Sequence, residues 1–384
     1  MREKLGKYIK EYSVRNKANE DIPVYSVTNT QGFCQDYFGK EVASKDKSTY
    51  KIVPRGCFAY NPSRINVGSI DWQRNEDRVI VSPLYNVFST SELLDQQYLY
   101  YFLKSDIALQ MIRSAATGSV RDNLKFSMLC EFSTNIPALE MQKGIVRILD
   151  KVKTLIDFRQ QELQKLDDLV KARFVEMFGN PIENPMQWDT YSLKECLERI
   201  DNGKSFICSD KPRTGDNPAI LKLSAATYGD YRSNENKALL DESLFVESSE
   251  VHAGDLLFTR KNTPELVGMA AYVLNTPPKL MMPDLIFRLV PNEKVNAVFL
   301  WLLINCKEFR PAIQAISGGS AKSMSNISKE RLGKIKIICP PRELQDSLIP
   351  FVKQVDKSKF VESIHVLKLI KEAIAKEVSH DRIR

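Results

Sequence analysis

The sequence predicts an α+β protein with two globular domains in pseudo-twofold tandem, separated by two long helices that pair antiparallel as a coiled coil. Short motifs recur in the same order at an offset of about 200 residues, far longer than the repeats of solenoids or propellers. Each copy is followed by a long helical pattern with a heptad-like apolar seam. The predicted segments are residues 1–139 (first domain), 140–179 (first long helix), 180–340 (second domain) and 341–384 (second long helix).

Composition indicates an ordinary folded protein. Hydrophobic residues make up 43% and charged residues 27% of the chain, which excludes a disordered or low-complexity protein. The formal net charge of +7 is a mild bias toward polyanionic partners such as DNA. We expect a cytoplasmic protein with no membrane partner, because neither a signal-peptide pattern nor a long apolar run is visible. The seven cysteines are scattered without CxxC spacing, which argues against a zinc site or a disulfide framework.

The clearest repeated motif is a proline followed by Glu-x-Gln. It occurs within residues 136–142 and again within residues 339–345, each time before a long helical pattern. Chance similarity between apolar segments would not keep several weaker pairs in the same order. Those pairs include Val67-Gly68 with Val267-Gly268, Tyr98-Leu99 with Phe299-Leu300, and Gly118-Ser119 with Gly319-Ser320.

The first long helix is predicted from about Glu140 to Phe178. Apolar residues recur there in alternating steps of three and four, interrupted at Arg159 and Arg173. At 1.5 Å per residue the helix would span about 58 Å, too long to be buried in one domain, so we expect it to pack against a partner helix. Residues 179–181, Gly-Asn-Pro, end it. The predicted packing residues are Leu149, Val152, Ile156, Leu163, Leu166 and Val170.

The second helical segment begins near Arg342. Pro350 lacks the N–H that a helix interior needs, so we expect a short helix before Pro350 and a long one after it. Two seams in one chain favour an intramolecular antiparallel pair; the alternative is that each seam packs on its own domain. The predicted packing residues are Phe360, Ile364, Leu367 and Ile374.

Each predicted domain carries three polar loops suited to DNA. In chain order they are residues 26–32, 60–66 and 116–123 in the first domain and residues 222–229, 258–263 and 317–323 in the second. Arg, Lys and Asn side chains read guanine and adenine edges, and a small-residue loop with hydroxyls and a cation suits a phosphate. Solvated turns are the alternative interpretation of each loop. The candidate contacts of the first domain are Thr28, Asn29, Gln31, Asn61, Ser63, Arg64, Asn66, Ser119, Arg121 and Asn123. Those of the second domain are Thr227, Tyr228, Arg260, Lys261, Asn262, Ser320, Lys322 and Ser323.

Catalytic motifs are not recognisable. Asn61-Pro62 resembles the start of an amino-methyltransferase motif, but Ser63 follows and no glycine-rich cofactor motif precedes it. Lys322-Ser323 resembles the end of a phosphate-binding P-loop, but Ala321 replaces the required glycine. The three histidines form no HExxH pattern. We therefore expect no catalytic residue, no metal site and no bound cofactor in this chain.

Several motifs and the order of domains and helices match a known pattern. The motifs are Tyr60–Gly68, Val81–Pro83, Gly118–Leu124, Ile136–Gln142 and Phe174–Pro181. Together they resemble the specificity subunit of type I restriction–modification enzymes, over essentially the whole chain. The second domain departs from this pattern at residues 258–263, so its contacts are placed less directly.

The resemblance implies a non-catalytic protein that binds double-stranded DNA. Two target recognition domains would each read one half of a split, asymmetric site, and the helices would set the spacer and dock two modification subunits. Those subunits would bind S-adenosylmethionine and methylate adenine, and a restriction subunit would use ATP and Mg to translocate and cleave. The competing interpretation is a coiled-coil scaffold whose two domains bind protein. A self-sufficient methyltransferase or nuclease is disfavoured by the missing motifs.

Overall fold

The computed structural model describes residues 2–35, 46–116, 123–318 and 324–359. The chain divides into two compact units, and the boundary falls between Asp157 and Phe158. This boundary lies inside one long helix. Each unit therefore contains one globular domain and one part of that helix.

The first unit is built on an antiparallel sheet. Within its described residues the strands are β1 (Arg2–Lys4), β2 (Ile9–Glu11), β3 (Ser26–Thr28), β4 (Gly32–Cys34), β5 (Lys51–Pro54), β6 (Phe58–Tyr60), β7 (Ile70–Trp72), β8 (Arg78–Val81), β9 (Asn86–Thr90) and β10 (Ser133–Asn135). The helices are α1 (Gln96–Lys104), α2 (Asp106–Ala116), α3 (Phe126–Cys130) and the beginning of α4 (Leu139–Phe178). The central sheet has the order β2-β9-β6-β7, and β1 pairs with β10, which joins the start of the domain to its end.

The central sheet of the first unit is covered on both faces. Phe58 and Phe88 lie opposite each other on β6 and β9, and their rings stack with centroids 5.0 Å apart, in one core with Leu99 of α1. Ala59 and Val87, which alternate with them, belong to a second core on the other face. Burial on both faces explains why all three residues of β6, Phe58, Ala59 and Tyr60, are apolar or aromatic instead of alternating with polar residues.

The second unit repeats this plan. Within its described residues the strands are β11 (Thr190–Ser192), β12 (Leu197–Asn202), β13 (Ala219–Leu221), β14 (Asn236–Ala238), β15 (Leu256–Thr259), β16 (Lys261–Asn262), β17 (Ala270–Tyr272), β18 (Leu280–Met281), β19 (Ile286–Pro291), β20 (Ser325–Asn326) and β21 (Lys336–Ile338). The helices are α5 (Ala297–Asn305), α6 (Arg310–Ala315), α7 (Lys329–Lys334) and α8 (Arg342–Asp346). The central order β12-β19-β15-β17 and the pairing of β11 with β21 match the first unit element by element. The predicted duplication is confirmed.

The repeated Glu-x-Gln motif has the same structural role in both units. Gln142 is fully buried; its Oε1 accepts the N–H of Asp95 at 2.9 Å, and its Nε2 donates to the carbonyls of Leu93 and Pro137, each at 2.8 Å. The N–H that it accepts belongs to the N-cap of α1. Gln345 is equally buried and makes the same three bonds in the second unit, to the N-cap of α5 and to two carbonyls. The partners of Gln345 are Asn296 N (3.0 Å), Lys294 O (2.9 Å) and Pro340 O (2.8 Å).

The first long helix, α4, has 40 residues. Of the predicted packing residues, Val152, Leu163 and Leu166 are half-buried and Val170 is buried. Towards its end the helix joins the core of the second unit, where Phe174 packs with its ring centroid 5.6 Å from that of Phe299. The second half of α4 is thus part of the second domain's core.

The seam of α4 differs in register from the prediction over two turns. Leu149 and Ile156 are 37% and 42% exposed, so among the described residues they do not form the predicted packing stripe. The half-buried positions there are Ile148 and Leu155. Arg159, which the sequence pattern treated as an interruption, is itself buried on the seam. Leu155 and Ile148 lie four and eleven residues before it, at heptad spacing, so the buried stripe runs through these three positions.

The second helical segment breaks at Ser347, and residues 348–359 are helical. Pro350, where the break was predicted, lies in the first turn of that helix, where its missing N–H removes no intrahelical bond. Nη2 of Arg159 donates to the carbonyl of Lys359 at 2.6 Å, and the Lys359 ammonium pairs with Asp167. The start of this helix, at Leu348, shares a core with the end of α4, at Phe178, whereas its last described residue bonds to Arg159 earlier in α4. The two helices therefore run antiparallel in the second unit. The predicted packing residues Phe360, Ile364, Leu367 and Ile374 lie outside the described residues.

Two valines of α4 test the register of this packing. Val170 is 5% exposed and Val175 is 44% exposed. Val170→Ala is expected to lower the free energy of unfolding by about 1–3 kcal/mol, because it removes buried methyl groups and leaves a cavity. Val175→Ala should change it by less than about 0.5 kcal/mol. Urea unfolding measures both, and equal losses from the two variants would contradict the observed register.

Candidate nucleic-acid interface

In the first domain, the first and second predicted loops are held together by Lys104 at the end of α1. Its Nζ donates to the carbonyl of Asn29 at 3.1 Å, to Oδ1 of Asn29 at 3.3 Å and to the carbonyl of Gly68 at 2.5 Å. Burial lowers the pKa of Lys104, which the Asp71 carboxylate partly opposes. A half-buried cation therefore fixes the relative position of the two loops.

Gly68 allows the close approach of these loops. It adopts a left-handed φ of +86°, and a Cβ there would come within 2.7 Å of Oδ1 of Asn29. Only glycine combines this backbone conformation with this contact at little cost. Asn29 is consequently presented from a fixed backbone rather than from a free hairpin.

The two loops share a cavity of about 380 Å³ in the first domain. Tyr25 and Tyr85 contribute aromatic surface to it, while Asn29, Asn61 and Arg64 contribute polar groups. Phenol rings beside amide and guanidinium groups are suited to the face and edge of a nucleobase. The cavity thus brings four of the predicted contact residues, these three and Thr28, to one place.

The remaining first-domain predictions divide by exposure. Gln31, Ser63 and Arg64 are exposed, and Asn66 is half-buried. Thr28 is 6% exposed, and its Oγ1 accepts the N–H of Gln31 at 3.0 Å. The prediction that Thr28 contacts DNA is therefore replaced by a supporting role, because its hydroxyl holds the turn that carries Asn29 and Gln31.

The third loop joins the second loop in the same way in both units. The N–H of Leu124 donates to the carbonyl of Pro62 at 3.2 Å, and the N–H of Ile327 donates to the carbonyl of Arg260 at 2.8 Å. Asn123, just before Leu124, is half-buried and lies within the described residues. The other predicted contacts of these loops lie outside the described residues: Ser119, Arg121, Ser320, Lys322 and Ser323.

In the second domain, buried side chains connect the first two loops. Nδ2 of Asn262 donates to Oγ1 of Thr227 at 3.1 Å, and the two residues are 8% and 4% exposed. The Thr227 hydroxyl in turn donates to the carbonyl of Leu223 at 2.8 Å. The prediction that Asn262 and Thr227 contact DNA is wrong for these side chains, because their polar groups are used inside the protein.

Other predicted contacts of the second domain are better presented. Tyr228 is 55% exposed and Lys261 is half-buried. The Arg260 guanidinium lies 4.8 Å from the ring centroid of Phe287 and donates to Oδ1 of Asn326 at 3.4 Å. In each domain the first two loops are therefore tied together, and the described end of the third loop bonds to the second, but the side chains at the surface differ.

Two anchoring residues were missed by the sequence analysis. Lys104 ends an amphipathic helix, and Trp301 lies within a strongly apolar one, where its Nε1 donates to the carbonyl of Gly229 at 2.6 Å. The sequence pattern assigned both residues to helices but gave no information on which distant loop each side chain contacts. The one sequence signal that could have suggested an anchoring role is that the two helices occupy equivalent places in the repeat.

The described ranges contain no group of three or more His, Cys, Asp and Glu residues that could hold a metal ion. In the same ranges, no helix is both long and apolar enough to cross a bilayer.

Comparison with known families decides the identity of this fold. The model of the type I restriction modification DNA specificity domain matches residues 3–168 and again residues 185–371. The chain belongs to this family. Each matched range contains the central sheet of one repeated unit, so each unit contains one specificity domain of the family. The resemblance noted in the sequence is confirmed, and with it a role in DNA sequence specificity.

Named members of the family are similar to the chain. The specificity subunit of type I restriction enzyme EcoEI from Escherichia coli is 32% identical over 179 residues, which cover 46% of this chain and 30% of that subunit. The match thus spans less than a third of that relative's length. The EcoKI specificity subunit of Escherichia coli K12 is 21% identical over 367 residues, covering 91% of this chain and 78% of that one.

Among solved structures, the S subunit of a type I restriction–modification system from M. genitalium covers 99% of this chain and 94% of its own, at 12% identity and a TM-score of 0.47.

Proposed function

We propose that each of the two specificity domains reads one half of a bipartite, asymmetric DNA site and thereby directs methylation and cleavage by a type I restriction–modification complex. The observation that carries this proposal is that, in each repeated domain, the first two polar loops are tied together and the described end of the third bonds to the second. The matching first loops differ in their exposed side chains, with Gln31 in the first domain and Tyr228 in the second. Two unlike readers on one chain imply a non-palindromic target.

The long helices are proposed to set the spacer between the half-sites. Half-sites read from one face of DNA lie about one helical turn, roughly 34 Å, apart. At 1.5 Å per residue, the 40 residues of α4 span about 60 Å, which covers that distance and leaves both ends for anchoring. Leu149 and Ile156, which are exposed on this helix, are candidates for docking the modification subunits.

The chain is proposed to be non-catalytic. Two modification subunits would supply S-adenosylmethionine and the methyl transfer, and a restriction subunit would supply ATP- and Mg-dependent translocation and cleavage. DNA affinity is expected to be weak for the isolated chain and strong in the complex, because the net charge of +7 is modest and phosphate contacts would be shared.

The proposal is tested by co-expressing the chain with the modification subunit encoded beside it and sequencing the host methylome. We expect a split motif with a methylated adenine in each half. Exchanging residues 1–135 for those of a relative should change one half of the motif and leave the other half and the spacer unchanged. Cells that express the modification subunit alone are the control.

Two outcomes would contradict the proposal. A complex that forms without bipartite methylation would favour the coiled-coil scaffold, which the two DNA specificity domain matches do not favour. A domain exchange that changes both halves together would show that the domains do not read separately.

A further inference from the structure

The loop that carries Tyr228 is held rigidly in the second domain. The N–H of Arg232 donates to the carbonyl of Ala225 at 3.0 Å, which closes the loop. Trp301 holds Gly229 at its tip, where the backbone has a left-handed φ of +88°. Asn262 holds Thr227 from the neighbouring loop. A loop tied at three points can present a side chain in one orientation before any ligand arrives.

The side chain so presented is Arg232. Its Nε donates to Oδ2 of Asp230 at 2.8 Å and its Nη2 to Oδ1 of Asp230 at 3.3 Å. The guanidinium also lies 4.8 Å from the centroid of the Tyr228 ring. All three side chains are substantially exposed: 43% for Arg232, 56% for Asp230 and 55% for Tyr228. Among described residues, the hydrogen bonds of this guanidinium all go to Asp230.

We propose that Arg232 reads a guanine in the half-site of the second domain. Asp230 binds the side of the guanidinium that carries Nε, so the opposite end, with Nη1 and the second hydrogen of Nη2, remains as a planar two-donor fork. That fork matches O6 and N7 of guanine in the major groove. Asp230 and Tyr228 are positioning residues that fix the plane of the fork. This inference rests on the proposed function and names one base-reading site within it.

A phosphate contact fits the same residues less well. The adjacent Asp230 carboxylate would repel a phosphate, whereas it costs little beside the neutral edge of a base. Stacking on Tyr228 fixes the orientation of the fork, which matters for a planar base edge and hardly at all for a phosphate. In the first domain the comparable arginine has no such free fork: Nη1 of Arg74 pairs with Asp71 and donates to the carbonyl of Trp72, and its Nη2 donates to Oε1 of Gln97. The guanine is therefore assigned to the second half-site alone.

The test uses the assembled complex of the full chain with its modification subunits and a DNA duplex library with a randomised second half-site. Methylated duplexes are recovered and sequenced. The unchanged complex should require a G·C pair at one position of this half. Arg232→Gln should lower the preference for that pair about 5- to 150-fold, the effect of losing one bidentate base contact. Arg232→Lys should lower it nearly as much, because lysine keeps the charge but lacks the planar fork.

The matched control is Arg199→Gln. Arg199 is also exposed and also pairs with an aspartate two residues away, Asp201, but it lies on the strand β12. The Arg199→Gln substitution should leave the base preference at every position of the motif unchanged. Asp230→Asn should weaken the preference for the G·C pair less than Arg232→Gln does, because the fork remains but is less fixed.

The outcomes separate this inference from the proposed function. If Arg232→Gln leaves the second half-site unchanged while methylation stays bipartite, the inference is wrong and the proposed function stands. A uniform loss of methylation over all sequences, with a weaker salt dependence, would show a phosphate contact and overturn the inference. If the unchanged complex shows no bipartite methylation, the proposed function itself fails.

Discussion

On the proposed function, replacing Lys104 by methionine will relax recognition of the first half-site while the second half-site stays as selective as before. The ammonium of Lys104 holds the carbonyl and side chain of Asn29 and the carbonyl of Gly68. Methionine keeps the apolar stem but donates no hydrogen bond, so the two loops lose their common anchor. Discrimination in the first half-site is expected to fall about 100-fold, as for the loss of one or two base contacts at about 1–3 kcal/mol each.

Lys104→Met is expected to change the positions of the two loops more than the stability of the domain. Burial lowers the pKa of Lys104, so the buried charge itself is costly and its removal partly offsets the lost hydrogen bonds. The measurement is the methylome of cells that express the variant with the modification subunit. Lys10→Met, at an exposed position on β2, is the control and should not change the motif. Relaxation of both halves by Lys104→Met would contradict the assignment of this anchor to one domain.

Asn262→Ala is the counterpart in the second domain. It removes the buried bond to Thr227 that joins the first and second loops there. We expect relaxation of the second half-site and an unchanged first half-site. The two variants together should therefore give reciprocal patterns, which a general loss of stability would not produce.

The sequence predicted the repeated architecture, because it follows from local patterns. A duplicated proline and Glu-x-Gln motif marked equivalent points of the two copies, and the structure places Gln142 and Gln345 in equivalent hydrogen-bond networks. Polar residues after short apolar strands marked the loops. In each domain side chains tie the first two loops together, and a backbone bond ties the described end of the third loop to the second.

The direction of individual side chains could not be predicted in the same way. Thr227 and Asn262 have the composition of surface contacts, yet each satisfies the other inside the protein. Lys104 looked like the polar end of a helix, although it is the anchor of two loops. Such roles depend on contacts between residues far apart in the chain, which a local pattern does not contain.

The register of the helix seam shows a related limit. Stepping through apolar residues alone gave Leu149 and Ile156, whereas the buried stripe passes through Leu155 and the charged Arg159. An arginine can lie on a seam when its long stem packs and its guanidinium finds acceptors, here the Lys359 carbonyl and Glu162. A prediction based on hydrophobicity alone therefore placed the seam at Leu149 and Ile156, each one residue after a half-buried position.

Gln345→Leu is expected to produce the largest loss of stability, about 3–5 kcal/mol. Leucine has nearly the same volume but leaves the N–H of Asn296 and the carbonyls of Lys294 and Pro340 without their buried partner, at about 1–3 kcal/mol for each group. Gln345→Glu should also be destabilising, because its carboxylate would face two carbonyls. Gln354→Leu, at an exposed position, should change stability by less than about 0.5 kcal/mol.

Hydrogen exchange followed by mass spectrometry locates the damage. Gln345 holds the N-cap of α5, so Gln345→Leu should lose amide protection over α5 (Ala297–Asn305) and keep it over α1 (Gln96–Lys104). Gln142→Leu should do the reverse, since Gln142 holds the N-cap of α1. Loss of protection in both domains from either variant would contradict the independence of the two cores. Because Gln142 lies on α4 and Gln345 on the short helix α8 that precedes the second helical segment, reciprocal loss would also show that each domain has its own attachment to its helical segment.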